Sequence, residues 1–368
     1  FFISFLFIFT INIFATNVQN TNQQYNFKYI VSDGVIFVTD CDDNFQGNII
    51  IPEKIGEFEV KKIFDDAFKN CKNLNSIIIP DTIISIGKNA FEGCINLSSV
   101  VLGNNIEIID ENAFKDCEKL EHISIPDTVI TIGNKAFYNC KSIKNITIPP
   151  ELKTLNEEVF ANCNNLTEIT FNMVLEKISK SSFEGCSKLK SCFLPETINE
   201  ISERAFKNCS KLEEITYSNS LEKIGESAFE NCSALKIIDI PENIKKIEEN
   251  TFKNCSKLQY VLISHQVTDI ANNAFKGCSK TLVLKSDIDS YAYKYAQRKN
   301  YEFEDLSIDM VLEKEEPELE ENTNISIVII VVFLVIVIVL IVIIIILKNK
   351  NNSLKKSETE NCSNNKKE

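Results

Sequence analysis

Histidine is almost absent from this 368-residue sequence, with only His122 and His265 present. The repeat described below sets them six coils apart, about 29 Å at the spacing of neighbouring strands, so they cannot share a metal or form a catalytic dyad. Glycine is scarce too: ten residues are too few for loops that cradle phosphates. No G-x-S-x-G, H-E-x-x-H, P-loop or G-x-G-x-x-G motif occurs, so hydrolases, zinc proteases and nucleotide-using enzymes lack their chemistry here. The third shortage is positive charge. Lys and Arg number 39 against 52 Asp and Glu, a net −13, and no basic-aromatic interleaving for nucleic acid appears. A non-enzyme with no catalytic residue, metal or cofactor is expected.

What the sequence does have is two long apolar runs. Phe1 to Ala15 (FFISFLFIFTINIFA) is as long as the apolar core of a signal peptide, with Ala15 at the cleavage site. It lacks Met and a basic start, so its first few residues are expected to be missing; a buried strand or an anchor helix is the alternative. Residues 325–347 contain 23 uncharged residues, nearly all Ile, Val and Leu. As a helix they span roughly 34 Å, enough for a hydrocarbon core of about 30 Å. Lys348, Lys350, Lys355 and Lys356 follow, and such residues stay cytoplasmic. The polar residues beyond the run argue against a glycolipid-anchor signal. The expected topology is single-pass type I at the plasma membrane, with the chain before the span outside.

Between these runs the sequence repeats. Phenylalanine recurs every 23 residues ten times, from Phe68, Phe91 and Phe114 to Phe275, and a cysteine follows three residues after each, from Cys71 to Cys278. Ala commonly precedes the Phe; Leu or Ile follows six residues later, then a short apolar stretch ending near Pro, as in Ile77, Ile79 and Pro80. One coil reads AFxxCxxLxxIxIPxxIxxIxxx. A coil this short cannot bury its own apolar face, but stacked copies share a continuous core. A solenoid is predicted, with a parallel sheet on one face, short strands and turns on the other, and a length of roughly 43 Å for nine coils at the strand spacing.

The coil resembles the BspA-like class of leucine-rich repeats, surface proteins of anaerobic bacteria and parasitic protists. The resemblance covers about residues 27 to 305. YIVSDGVIFVTDCDDNFQGNIIIPEKIGEFEVKKIFDDAF is similar to that family's first unit, lengthened here between Gly56 and Val60. TLVLKSDIDSYAYKYAQRKNYEF is similar to its last unit, and Tyr291, Ala292, Tyr295 and Ala296 have the spacing of a helix that covers the final coil. The organisation expected is a signal peptide (1–15), an N-terminal cap with an irregular first repeat (16–66), repeats (67–280), a C-terminal cap (281–305), an acidic stalk (306–324), the membrane helix (325–347) and a cytoplasmic tail (348–368). The resemblance implies adhesion to host cells or matrix and recognition by host immunity; fold alone does not fix function.

Twelve of the 13 cysteines lie before the span, where disulfides persist. The fixed slot among core residues reads first as a buried free thiol. Alternating inter-coil disulfides are a second reading, and a metal ladder a third. Cys192 occupies an inward strand slot, and Cys362 lies where palmitoylation is chemically open.

A binding face is expected on the outward positions of the strand. One column runs Ser76, Ser99, His122, Asn145, Glu168, Ser191, Glu214, Ile237, Tyr260, and the next Ile78, Val101, Ser124, Thr147, Thr170, Phe193, Thr216, Asp239, Leu262. These vary while the core columns do not. Ile237, Tyr260 and Leu262 form an apolar cluster, with Phe193 apart, and His122, Glu168 and Glu214 supply polar character. The competing reading is ordinary exposure, or cover by the C-terminal helix. Sequons at Asn96, Asn145, Asn165, Asn208, Asn231 and Asn254 are candidate glycosylation sites, while Asn324 is too close to the span. The leading function is attachment to a protein or glycan on another surface; the alternative is a receptor or antigen that captures a soluble ligand or meets host immunity without adhesion.

Overall fold

The computed structural model describes residues 26–41 and 45–306. They form a sequence of short strands and turns repeated coil upon coil, and the core is the line of side chains common to the coils. The expected signal peptide, membrane helix, tail and all but the first residue of the stalk lie outside the described residues, as do Asn324 and Cys362. Among the described residues no helix is long and apolar enough to cross a membrane.

Each coil contributes one strand to a parallel ladder, from Gly47–Ile50 and Leu74–Ile78 to Val283–Ser286 and Glu302–Asp305. The pairings keep the 23-residue register: Ser76 lies opposite Ser99, Val100 opposite Ile123, and Ile237 opposite Tyr260. The strands pair in four runs, with the ladder interrupted after His122–Ile123, Glu168–Thr170 and Glu214–Thr216. A second parallel ladder of two-residue strands, such as Ser85–Ile86, Ile108–Ile109 and Thr131–Ile132, runs where the coil pattern places its last Ile. Between the ladders the backbone still bonds from coil to coil: Phe68 N–H donates to Ala90 O at 2.7 Å and Phe114 N–H to Ala136 O at 2.8 Å. Local turns add bonds within each coil, such as Cys71 N–H to Phe68 O at 3.0 Å and Leu74 N–H to Cys71 O at 3.1 Å, and the rest of the backbone depends on the neighbouring coils.

Three columns show why the pattern takes these residue types. All ten repeat phenylalanines are fully buried. Their rings stack face to face, 5.0–5.7 Å apart and within 15° of parallel, which adds directional attraction to the burial of a large apolar group. Next, each of the nine cysteines of the 23-residue column from Cys94 to Cys278 donates its S–H to the carbonyl of the phenylalanine 26 residues earlier, at 2.9–3.3 Å. Cysteine is thus small and apolar enough for the core while still pairing a buried carbonyl. Last, the residue before every one of these cysteines has φ between 59° and 79°, and it is always Asn, Asp or Gly: Asn70, Gly93, Asp116, Asn139, Asn162, Gly185, Asn208, Asn231, Asn254, Gly277. The chain turns sharply there between Phe and Cys, and those residue types tolerate the left-handed conformation best.

Expectation and structure differ at the first cysteine of the column. Cys71 is not a free thiol but forms a disulfide with Cys41 across 30 residues of sequence. The unit before Cys71 is irregular: strand Phe27–Ser32 folds back antiparallel on Val35–Cys41, and that hairpin brings Cys41 within a Cα–Cα distance of 6.8 Å. Closing a loop of this size restricts the unfolded chain by about 3–4 kcal/mol in the chain-entropy model. The other described cysteines are free and buried, or half-buried for Cys278, so the alternating disulfides are not formed among them. Cys192 fills its inward slot at 2% exposure.

The ends are closed by different means. At the N-terminus the insertion is a tight hairpin in which Ile55 pairs with Phe58 around Gly56, whose φ is 62°. At the C-terminus a helix, Tyr291–Lys299, begins at Ser290, whose hydroxyl accepts from Tyr293 N–H, and stops at left-handed Asn300. Its Ala292, Tyr295 and Ala296 are buried, and the Tyr295 ring meets Phe275 edge-on at 6.1 Å. An aromatic thus covers the last ring of the phenylalanine stack.

Two predictions follow from the columns. Phe160→Ala removes a ring stacked on both sides and should cost about 3–5 kcal/mol through lost burial and the cavity left, whereas outward Thr170→Ala should change stability by less than about 0.5 kcal/mol; thermal melts of the two variants check the inside–outside register. The thiols carry the second. Burial pushes Cys94, Cys163 and Cys278 from the ordinary 9.0 up to about 12, and Cys117, Cys140, Cys186, Cys209, Cys232 and Cys255 well above 9.0. Above about pH 9 the unfolded chain releases these protons while the native chain keeps them, so stability is complete below that pH and falls toward pH 12. Each thiol adds up to about 1.4 kcal/mol per pH unit to the slope. Urea melts from pH 7 to 10.5 should show a midpoint flat to about pH 8.5 and then dropping, less steeply in a Cys140→Ser/Cys163→Ser variant.

Candidate binding face on the strand ladder

Strands of the first ladder such as Asn145–Thr147, Glu214–Thr216 and Ile237–Ile240 alternate between a buried and an outward residue. Neighbouring coils are in register, so the outward residues form straight columns with free access from one side. The structure places the predicted residues on that side: His122, Glu168, Glu214, Phe193, Ile237 and Tyr260 are exposed, and Leu262 is half-buried. It does not bring them together as one site. His122 lies opposite Ser99, Glu168 opposite Asn145, and Glu214 opposite Ser191. Phe193, 61% exposed, stands alone opposite Thr216.

Ile237 and Tyr260 are direct cross-strand neighbours, with Leu262 one pair further along opposite Asp239. This apolar group is smaller than the sequence implies, because Lys285 from the next strand sets its ammonium 4.7 Å over the Tyr260 ring and is tied to Glu304 at 2.6 Å. The cation and ring attract each other. What flanks this group is therefore a cap strand.

A second apolar group, not foreseen as a cluster, lies toward the N-terminal end of the ladder, in the column that also holds Leu262. Ile50, Ile78 and Val101 are paired in register on three successive strands, and they are 67%, 42% and 52% exposed. Ile50 escaped notice because it belongs to the irregular first unit, outside the 23-residue spacing; its signal is the alternation Ile49, Ile50, Ile51, with the outer two buried. Next to Val101 the surface dips into a shallow depression of about 440 Å³ lined by Val101, Glu121, His122, Ser124, Pro126 and Asn145. The dip lies where the strand ladder is interrupted between His122–Ile123 and Asn145–Thr147. Glu121 is paired with Lys144 at its edge, and this contact holds the Glu121 carboxyl below its ordinary range. An apolar strip running into a polar hollow can recognise a partner by shape and apolar contact with a few directed hydrogen bonds. Among the described residues no three His, Cys, Asp or Glu side chains are grouped to hold a metal ion.

The sequons divide by environment. Asn145 is exposed on the face itself. Asn96 and Asn165 are half-buried, with the Asn96 amide donating to Lys72 O at 2.8 Å. Asn208, Asn231 and Asn254 occupy the left-handed column, where Asn231 donates to Asn208 at 2.7 Å and Asn254 to Asn231 at 2.8 Å.

Comparison with known proteins bears on the fold. A family model described as BspA type Leucine rich repeat region (6 copies) matches residues 61–190 and 153–282. A leucine rich cell surface protein from Faecalibacterium prausnitzii A2-165 is 22% identical, the match covering 76% of this chain and 93% of that one with a TM-score of 0.39. The T. pallidum Leucine Rich Repeat protein is 24% identical over 57% of this chain and 88% of its own, TM-score 0.41. A leucine-rich repeat protein from Bacteroides ovatus ATCC 8483 is 23% identical over 76% and 98%, TM-score 0.34. No curated protein matches the chain. With the family model running from residue 61 to residue 282, more than half of the sequence, the chain belongs to the BspA-type leucine-rich repeat family.

Proposed function

We propose that this protein is a surface attachment protein that uses the outward face of its first strand ladder to hold a macromolecule on another cell or in matrix. The observation that carries the reading is the in-register apolar strip Ile50, Ile78 and Val101 beside the hollow around His122. The buried Phe column repeats without change and the inward strand column holds only small to medium apolar residues, whereas the outward columns range from Ser and Glu to Phe and Tyr. Strand residues free of any packing duty are the ones a scaffold can vary to fit a partner. Exposed apolar side chains set among polar ones are suited to be the anchors of such a contact. Attachment further supposes that residues 325–347 cross the plasma membrane with the solenoid outside, a reading supported by the uncharged run and the lysines after it.

The test displays the full chain on cells and measures their adhesion to surfaces coated with matrix protein or overlaid with a second cell type. Val101→Glu with Ile78→Glu should reduce adhesion at least tenfold without lowering the melting temperature, and external protease should remove the repeats while sparing the Lys355 region. Unchanged adhesion in that variant would move the contact off this face. Absence of adhesion together with tight capture of a soluble ligand would favour the receptor reading.

A further inference from the structure

The net charge of −13 conceals a local feature on another part of the coil. At the residue five after the repeat phenylalanine, the C-terminal coils carry Lys188, Lys211, Lys257 and Lys280, interrupted once by Ala234. All four lysines are exposed. Among the described residues, most lysines of the repeats are matched to a carboxylate on an adjacent coil, as in Lys69–Glu92, Lys141–Glu118 and Lys180–Glu203, but none of these four makes an ion pair. The same position in the N-terminal coils holds Asn73, Asn96, Lys119, Ser142 and Asn165, and Lys119 is engaged with Asn96 at 2.7 Å. The unmatched row is confined to one half of the solenoid.

The row is also held in place. The serines before Lys188, Lys211 and Lys257 belong to a ladder in which Ser210 donates to Ser187 O, Ser233 to Ser210 O and Ser256 to Ser233 O, at 3.2–3.4 Å, while Ser279 before Lys280 pairs with the Thr281 hydroxyl at 2.8 Å. Successive coils there are 5.4–5.6 Å apart, measured between stacked rings. Two residues later in the coil, Glu213 is neutralised by Lys236 at 2.6 Å; four residues earlier, Glu230 is held by Lys207 at 2.7 Å and Lys253 at 3.0 Å. A line of ammonium groups, none of them in an ion pair, therefore runs along the solenoid axis beside columns in which Glu213 and Glu230 are already paired.

We propose that this row binds a linear polyanionic polysaccharide, sulfated or carboxylated, laid along the axis with successive anionic groups meeting successive coils. An extended 1→4-linked sugar chain advances per residue by about one coil, so a rigid row of this pitch meets it in register without rearrangement. A flat anionic bilayer fits worse, because exposed Glu214, three residues after Lys211 and outside every ion pair among the described residues, would be pressed against like charge. Single-stranded nucleic acid also fits worse, since the row contains no aromatic ring on which bases could stack. The proposal uses different columns from the strand face and stands whether or not that face is the attachment surface. It also assigns the Asn–Cys–Ser sequons to structure: a glycan on Asn208 or Asn254 would stand beside Lys211 or Lys257, and the ladder hydrogen bonds of Asn231 and Asn254 hold these amides in use.

The experiment measures binding of the full chain to a heparin oligosaccharide across a range of sodium chloride concentrations. Affinity should fall linearly with salt on a log–log plot, as counterions released from a polyanion require. Lys211→Gln with Lys257→Gln should weaken binding at least tenfold at low salt and make that slope shallower by roughly one to two. The control variant, Lys72→Gln with Lys153→Gln, removes the same charge from exposed lysines outside the row and should change affinity less than about threefold, the size of a screened, non-contacting effect. A lower melting temperature in the first variant would shift the reading to Lys188→Gln with Lys280→Gln, for which the same loss is expected. No heparin binding at low salt overturns the proposal, as does equal loss in row and control variants, or tighter binding to oligo-dT or to phosphatidylserine vesicles than to the oligosaccharide.

Discussion

Every coil of this solenoid borrows its stability from the coils beside it, and the stacked phenylalanine column is where that dependence is concentrated. A coil with one ring, one leucine and a few isoleucines has no interior of its own. Placed in register, the rings lie 5.0–5.7 Å apart from one end of the repeats to the other, each between Phe91 and Phe252 stacked on two others. The register that aligns the rings also sets the two strand ladders, the thiol-to-carbonyl bonds and the asparagine turns, because all of them connect atoms 20-odd residues apart on neighbouring coils. An insertion of one residue within a coil would break all of these at once. This is why the spacing holds across ten copies and why irregular sequence is confined to the two ends, where a hairpin with a disulfide and a helix with Tyr295 close the stack.

The same constraint leaves the surface free to vary. Burial takes the alternate residues of each strand and the turn residues that need a left-handed backbone; the rest of the coil is bound only by charge pairing and solubility. Exposed ion pairs between coils are individually worth little, so a column can be given over to matched Lys–Glu pairs, as around Glu92 and Glu230, or left unmatched, as in the lysine row, at small cost to the fold. A rigid one-dimensional scaffold converts a choice of residue type into a line of chemistry at fixed pitch. Both proposed contacts, the apolar strip at Ile50, Ile78 and Val101 and the row from Lys188 to Lys280, are lines of this kind.

Much of the architecture was legible because the signal is periodic. Phe, Cys and the inward Ile positions repeat at one spacing, and the outward columns could be written down and found outward, including Phe193 at 61% exposure beside Cys192 at 2%. The helix over the last coil followed from Tyr291, Ala292, Tyr295 and Ala296 at helical spacing. What was missed falls into two kinds. Some of it was in plain view: the Asn, Asp or Gly before each Cys signals a left-handed turn, and the lysine row is hidden only by summing charge over the whole chain. The rest depends on contacts that no spacing encodes. Cys41 meets Cys71 only because a hairpin folds back beneath the first regular coil, and Ile50 joins Ile78 only because an irregular unit happens to pair in register.

Removing whole and partial coils tests the dependence on register most directly. Deleting 23 consecutive residues from Tyr138 to Phe160 joins two coils at equivalent positions and should leave a protein that melts cooperatively, at a somewhat lower temperature, with the thiols of the remaining coils still buried. Deleting about half as many residues from the same start should shift every later column against every earlier one and abolish the cooperative melt. Equal damage from the two deletions, read by circular dichroism melting and by thiol accessibility, would contradict a fold held together by coil-to-coil register.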